Sequence, residues 1–193
     1  MILLQTIHGS RLSGLARPDS DWDWYTVVDN GKTRQRISGD QDKLTVTLDD
    51  FLNHVADGEV AALCALWSPV ADIEPNYKPL FMSLHPSMMG AARKFGGAIT
   101  AFSVFGTGQR NRPVGGFDAI DIKAKQHMLR LSLLLANLWL YGHFNPQLDA
   151  QTIRWITGTA RTDQETFTAE VRRVCPVTLT LGWDVPSEPP ATK

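Results

Sequence analysis

Gly9-Ser10-Arg11 and Asp21-Trp22-Asp23 are the stretches of this chain whose residue types and spacing suit chemistry. A short apolar run, residues 2–7 (ILLQTI), reads as a strand that delivers Gly9 and Ser10 into a short turn or helix. A glycine there lets a phosphate approach the main chain, and the serine hydroxyl with nearby N–H groups can hold its oxygens. Arg11 follows directly and adds positive charge. Asp21 and Asp23 stand at i and i+2 of the next strand-like run, so they share one face. Two carboxylates held side by side repel each other unless a cation lies between them. A divalent ion is the simplest such cation, and paired carboxylates suit Mg2+ bound together with substrate phosphates. Trp22 and Trp24 point to the other face, where they are expected to pack on helices.

A second constellation lies far along the chain. Lys123, His127 and Arg130 are spaced i, i+4, i+7, which puts them on one face of a helix. Met128, Leu131, Leu135 and Leu138 crowd the flank beside them. The natural partner of such a column is a polyanion such as a triphosphate. Arg17, Arg110 and Arg112 read as surface residues that add positive charge. Most of the tryptophans, Trp139 and Trp155 among them, read as packing groups rather than a base-stacking platform.

The elements that must position these residues follow from pattern. Residues 21–28 (DWDWYTVV) are rich in aromatic and β-branched types and read as a strand. Asp29-Asn30-Gly31-Lys32 is a tight-turn signal, and residues 33–37 are expected to return as the second arm of a hairpin. After a turn at residues 39–42, residues 43–48 alternate with period two. Asp49 is expected to cap a helix that Gly58 breaks in two before Ser68-Pro69. Beyond Pro79 the pattern is helical. One helix covers 87–105, loosened at Gly96-Gly97. Residues 106–116, with four glycines, read as a mobile loop. The longest helix spans 118–142, and shorter ones cover 149–157 and 163–174. From Pro176 the chain reads as irregular, with a short strand at 177–181 as an option.

Composition bounds the answer. The chain has 193 residues, 43% of them hydrophobic and 20% charged, enough to bury a core in one domain or two small ones. A net charge of −1 speaks against holding nucleic acid by bulk charge, although a local basic groove stays open. Cys64 and Cys175 match no metal spacing and are too few for a disulfide scaffold, which suits a reducing, cytoplasmic setting. The longest apolar run, residues 131–141, falls short of the roughly 20 residues needed to cross a bilayer. The start of the chain lacks the basic and small-residue marks of a signal peptide.

The string GSRLSGLARPDSDWDW resembles the signature of the polymerase β-type nucleotidyltransferase superfamily: a hydrophobic-Gly-Ser turn, then a strand carrying Asp-x-Asp. The first Asp follows Gly9 by twelve residues, the spacing of minimal members. It is similar above all to a subgroup of predicted nucleotidyltransferases linked to RNA repair and common in phages, with a GSR–GLA–PDSDxD pattern. The subgroup's third acidic residue stands nine positions before a phenylalanine. Counting back from Phe51 gives Asp42, with Asp40 as the alternative. Lys43 stands where the family tends to have an apolar residue, and Cys64 takes the place of a glutamate on the next helix. Asp121, Lys123, His127 and Arg130 match the subgroup's D-x-K-x-x-x-H-x-x-R pattern, and Gly158 falls at the turn between its C-terminal helices.

The resemblance implies an α+β fold. A small mixed-sheet nucleotidyltransferase core would cover 1–75, a helical subdomain 76–175, and a largely irregular tail 176–193. It implies transfer of a nucleoside monophosphate from an NTP to a hydroxyl, releasing pyrophosphate. Asp21, Asp23 and Asp42 would be catalytic and would hold Mg2+ or Mn2+. Gly9, Ser10, Arg11, Lys123, His127 and Arg130 would contact the nucleotide's phosphates. The acceptor, a nucleic-acid end such as RNA, a protein or a small molecule, is open, and a membrane is not expected. The alternative is an inactive nucleotidyltransferase fold that binds a nucleotide or a protein.

Overall fold

The computed structural model describes the backbone of residues 1–108 and 116–174, and the side chains of 1–99 and 122–174. Those residues form a mixed β-sheet followed by helices, an α+β architecture. They divide into two units. One comprises Met1–Ala91 with Gly142–Asp149; the other runs from Ala92 to Tyr141 and resumes at Ala150.

The first unit carries the sheet. Its elements are β1 (Ile2–Ile7), α1 (Gly9–Ser13), β2 (Trp22–Val28), β3 (Arg34–Ser38), β4 (Gln41–Thr47), α2 (Leu48–Asp57), α3 (Val60–Leu66), β5 (Asp72–Ile73) and α4 (Lys78–Met82). The strand order is β3-β4-β2-β1-β5. β1 runs antiparallel to β2 and β5, β2 runs parallel to β4, and β3 runs antiparallel to β4. Tyr25, Val27 and Val46 are buried on one face with Phe51 and Val55 of α2. The Tyr25, Phe51 and Phe81 rings meet edge-to-face in series, at 6.0 and 5.4 Å.

The hairpin expected across Asn30-Gly31 does not form. β3 pairs with β4, and β4 inserts beside β2. Two physical reasons account for this. A two-residue turn of the favoured kind needs positive φ at both central residues, and Gly31 has it while Asn30 does not. Every β3 residue is exposed, whereas β4 carries the buried Val46, so burial favours β4 in the interior and β3 at the edge. The tight turn is instead Gly39, at φ +60°, between β3 and β4.

Helix starts and ends also shift. Thr47, not Asp49, caps α2: its hydroxyl accepts the Asp50 N–H at 3.2 Å, leaving Asp49 in the first turn. Gly58, at φ +77°, ends α2 as expected, and a Cβ there would strike the backbone of Ala91. α5 (Met88–Gly108) runs unbroken through Gly96-Gly97. The expected loop at 106–116 is therefore helical at its two ends; 109–115, with Arg110 and Arg112, lie outside the described residues.

In the second unit α6 (Gly116–Tyr141) is the central helix, with α7 (Ala150–Thr159) and α8 (Gln164–Val174) packed on it. Leu129, Leu131, Leu134, Leu135 and Leu138 are buried around most of its circumference, as a core helix requires. Gly142, at φ +74°, ends it. Gly158 lies within α7, and the turn to α8 follows it, with Arg161 and Thr162 N–H groups bonded back to Gly158 and Thr159. Cys175 and the tail from 176 onward, including the possible strand at 177–181, lie outside the described residues. Among the described residues no helix is long and apolar enough to cross a membrane.

Candidate functional site

The site begins where β1 stops. His8 is extended, and Gly9 turns the chain into α1 at φ +67°, in the left-handed region. The His8 N–H donates to the Asp23 carbonyl at 2.9 Å, tying the end of β1 to β2. The Asp23 carboxylate then fills the space that a Cβ on residue 9 would need. The lack of a side chain at Gly9 is what admits the Asp23 carboxylate. The Ser10 carbonyl accepts the Ser13 hydroxyl and the Leu15 N–H, at 3.1 and 3.0 Å. The Ser10 hydroxyl makes no hydrogen bond among the described residues.

Arg11 has a different placement from the one its sequence position suggests. Its Nε donates to the Asp21 carbonyl at 3.0 Å and its Nη2 to the Ser20 carbonyl. Its guanidinium lies 4.1 Å over the Trp22 ring. It thereby fixes the loop that leads into β2. Trp22 is 38% exposed and stacks on Trp24, with centroids 6.3 Å apart. The two rings pack on each other, and Trp22 also packs on Arg11 of the short helix α1.

Asp21 immediately precedes β2. Its carboxylate is exposed and makes no hydrogen bond or ion pair among the described residues. Asp23 and Asp42 are register partners on the parallel strands β2 and β4. Their carboxylates therefore leave the same face, one strand spacing apart. Asp42 shares that face with Leu44 and Val46, which is also the face of Asp23, Tyr25 and Val27. Gln35 of β3 donates to Asp42 Oδ2 at 2.6 Å, and Asp42 Oδ1 is buried with no hydrogen-bond partner. Asp40 lies in the turn before β4, and its carbonyl accepts the Trp22 N–H at 2.7 Å. Asp42 is thus the carboxylate brought to Asp23.

A buried, unpaired carboxylate oxygen beside a second carboxylate calls for a cation. Among the described residues no three His, Cys, Asp or Glu side chains converge to hold one metal ion. A pair of carboxylates still fits Mg2+, which keeps waters and takes substrate phosphates rather than filling a protein cage. Cys64, where the resemblance leads one to expect a glutamate, is buried in α3.

The second constellation sits in the second unit. Lys123 is exposed, and Arg130 is buried on α6. Burial first, then the charges of Arg130 and Lys123, push the His127 pKa down to about 3. Its imidazole is therefore neutral at physiological pH. The side chain of Asp121 lies outside the described residues. Lys125, which sequence reasoning passed over, is buried: its Nζ reaches the Thr162 carbonyl at 3.3 Å and lies 5.3 Å from the Phe167 ring. It joins α6 to α8. Gln35 was missed too, because its role depends on which strand β3 pairs with.

Compared with known proteins, the chain has no match among family models or curated proteins.

Proposed function

We propose that this chain is a nucleotidyltransferase of the polymerase β type, dependent on Mg2+ or Mn2+. It would transfer a nucleoside monophosphate from an NTP to a hydroxyl and release pyrophosphate. One observation carries the reading: Asp23 is seated against the Gly9 turn with Asp42 as its register partner, one oxygen of which is buried and unpaired. In this reading residues 1–75 are the nucleotidyltransferase core.

Asp23 and Asp42 would hold the divalent ion together with the exposed Asp21. When bound, the ion supplies positive charge to the phosphate oxygens. The chain's own residues do the remainder. Ser10, with its free hydroxyl, and the Gly9-Ser10 main chain hold the β- and γ-phosphates. Arg11 acts one step back, by fixing the Ser20-Asp21 backbone that carries Asp21. Asp42 is the candidate base for the attacking hydroxyl, since its unpaired oxygen can take a proton. Within the second unit, Lys123, His127 and Arg130 would offer donors and charge to an anion such as a phosphate.

A second reading has its own support. Without a three-ligand cluster among the described residues, and with Cys64 in place of a glutamate, the chain could be an inactive member that binds nucleotide or protein. Turnover separates the two. Incubation with each labelled NTP, Mg2+ and a lysate should give a labelled macromolecule and release pyrophosphate. Nucleotide binding with no release of pyrophosphate from any NTP, with either metal, would leave the inactive reading.

A further inference from the structure

The same strand alternation that gathers Asp23 and Asp42 on one face puts a different set on the other. Trp22 and Trp24 of β2, Lys43 of β4, and Arg34 and Arg36 of β3 all leave that opposite face. Register aligns Trp24, Lys43 and Arg36 in one row across three strands. Arg34 lies two residues along β3, about 6.6 Å away at the usual strand rise. Lys43, Arg34 and Arg36 are exposed and form no hydrogen bond or ion pair among the described residues. Among the described strand residues of this face, Asp72 alone is acidic, and it sits on β5 at the far edge of the sheet. Beside the row, Arg11 and Trp24 both lie against the Trp22 ring, forming a planar cation–aromatic stack with Trp22 exposed.

We propose that this outer face of the sheet binds single-stranded nucleic acid. A net charge of −1 for the whole chain does not oppose this, because the cations are concentrated on one edge of one sheet. Unpaired cations in a row attract a phosphodiester backbone, and planar groups beside them let an unstacked base extend the stack. A duplex offers no unstacked base, so single strands are preferred. Binding does not depend on the transferase reading; that the bound strand supplies the accepting hydroxyl does rest on it.

Fluorescence anisotropy with labelled 12-residue oligonucleotides, RNA and DNA, as single strands and duplexes, tests the proposal on the full chain. The single strands should bind, with log K falling against log salt at a slope of about −2 for three phosphate contacts. Arg34→Gln, Arg36→Gln and Lys43→Gln together should flatten that slope. Trp22→Ala should weaken binding about 5- to 150-fold, the usual range for loss of one stacked base. Trp22→Phe, which keeps a ring, should retain most of the affinity and guard against a folding artefact. Asp23→Asn should abolish NTP turnover yet leave oligonucleotide binding intact. Absence of binding at low salt overturns the proposal, as does equal affinity for duplex or for a polyglutamate peptide. Unchanged binding in the triple variant or in Trp22→Ala does so too. Transfer to a protein or small molecule by a chain that binds no oligonucleotide would leave the transferase reading standing and this one not.

Discussion

The Asp23 carboxylate occupies the space that a side chain on residue 9 would need, so Gly9 and Asp23 are sterically interlocked across the β1–β2 pair. Two penalties follow for any substitution at Gly9. The left-handed φ of +67° costs an L-residue about 1–2 kcal/mol, and the new Cβ displaces Asp23. Gly142 has a similar φ of +74°, but nothing lies within 4 Å of where its Cβ would be. Gly9→Ala is therefore expected to lose both stability and transfer, the latter by about 10²-fold for a displacement near 1 Å. Gly142→Ala should lose stability alone. Parallel melting curves and transfer assays compare them, and equal activity in the two variants would remove Asp23 from the site.

Asp23→Asn and Asp42→Asn should abolish transfer while the fold is kept or slightly stabilised, because each relieves carboxylate repulsion. Asp21→Asn is expected to behave likewise in the transfer assay. Retained activity in both Asp23→Asn and Asp42→Asn would end the paired-carboxylate reading.

Nucleotide should raise the melting temperature only when a divalent cation is present, since the carboxylates otherwise repel the triphosphate. At a hundredfold excess over Kd the protection is worth about 2.7 kcal/mol. Protection of equal size in EDTA would place the phosphates away from Asp23 and Asp42.

His127 makes stability pH-dependent. Its pKa falls from an ordinary 6.5 to about 3 in the fold, so the unfolded chain binds the extra proton between those values. Stability is full above pH 6.5 and declines as the pH drops towards 3. The loss at pH 5 relative to pH 7 is about 2 kcal/mol from this residue. Urea melts of the parent and of His127→Gln at both pH values isolate it, and the variant should lose less on acidification. If Lys123, His127 and Arg130 contact a triphosphate, bound NTP should raise the imidazole pKa, read by NMR titration.

The Tyr25 hydroxyl is buried without a hydrogen-bond partner, and burial, with Glu59 and Asp50 nearby in charge, holds its pKa above the ordinary value. It stays protonated throughout the working range. Tyr25→Phe removes the unsatisfied group and should stabilise the chain by about 1 kcal/mol in a urea melt. A destabilised variant would show that the hydroxyl has a partner.

Much of this arrangement is legible in the sequence because it rests on local signals. The apolar run before Gly9, the aromatic and β-branched content of residues 21–28, and Gly58 and Gly142 as helix ends all show in residue order. What stays hidden is strand pairing. Asn30-Gly31 looks like a hairpin turn, and no local rule reveals that β4 rather than β3 lies beside β2. That single choice puts Asp42 next to Asp23, brings Gln35 to Asp42, and lays Lys43 beside Trp24. The partners of Arg11 stay hidden for a related reason: they are backbone carbonyls, which leave no mark in the sequence.

The turn at Gly39-Asp40 sets the phase of β4, and β4 carries an acid and a base as consecutive residues, Asp42 and Lys43. A one-residue slip of β4 against β2 that brings Lys43 to the slot of Asp42, as an indel in that turn could impose, would turn both to the opposite faces. A lysine would then stand beside Asp23, and an aspartate among the exposed arginines. Point substitutions can alter either face alone, but such a slip would reverse the charge of both at once. Length variation among natural variants should therefore collect in the connection from Asp29 to Thr33, and the two-residue link between β3 and β4 should hold its length.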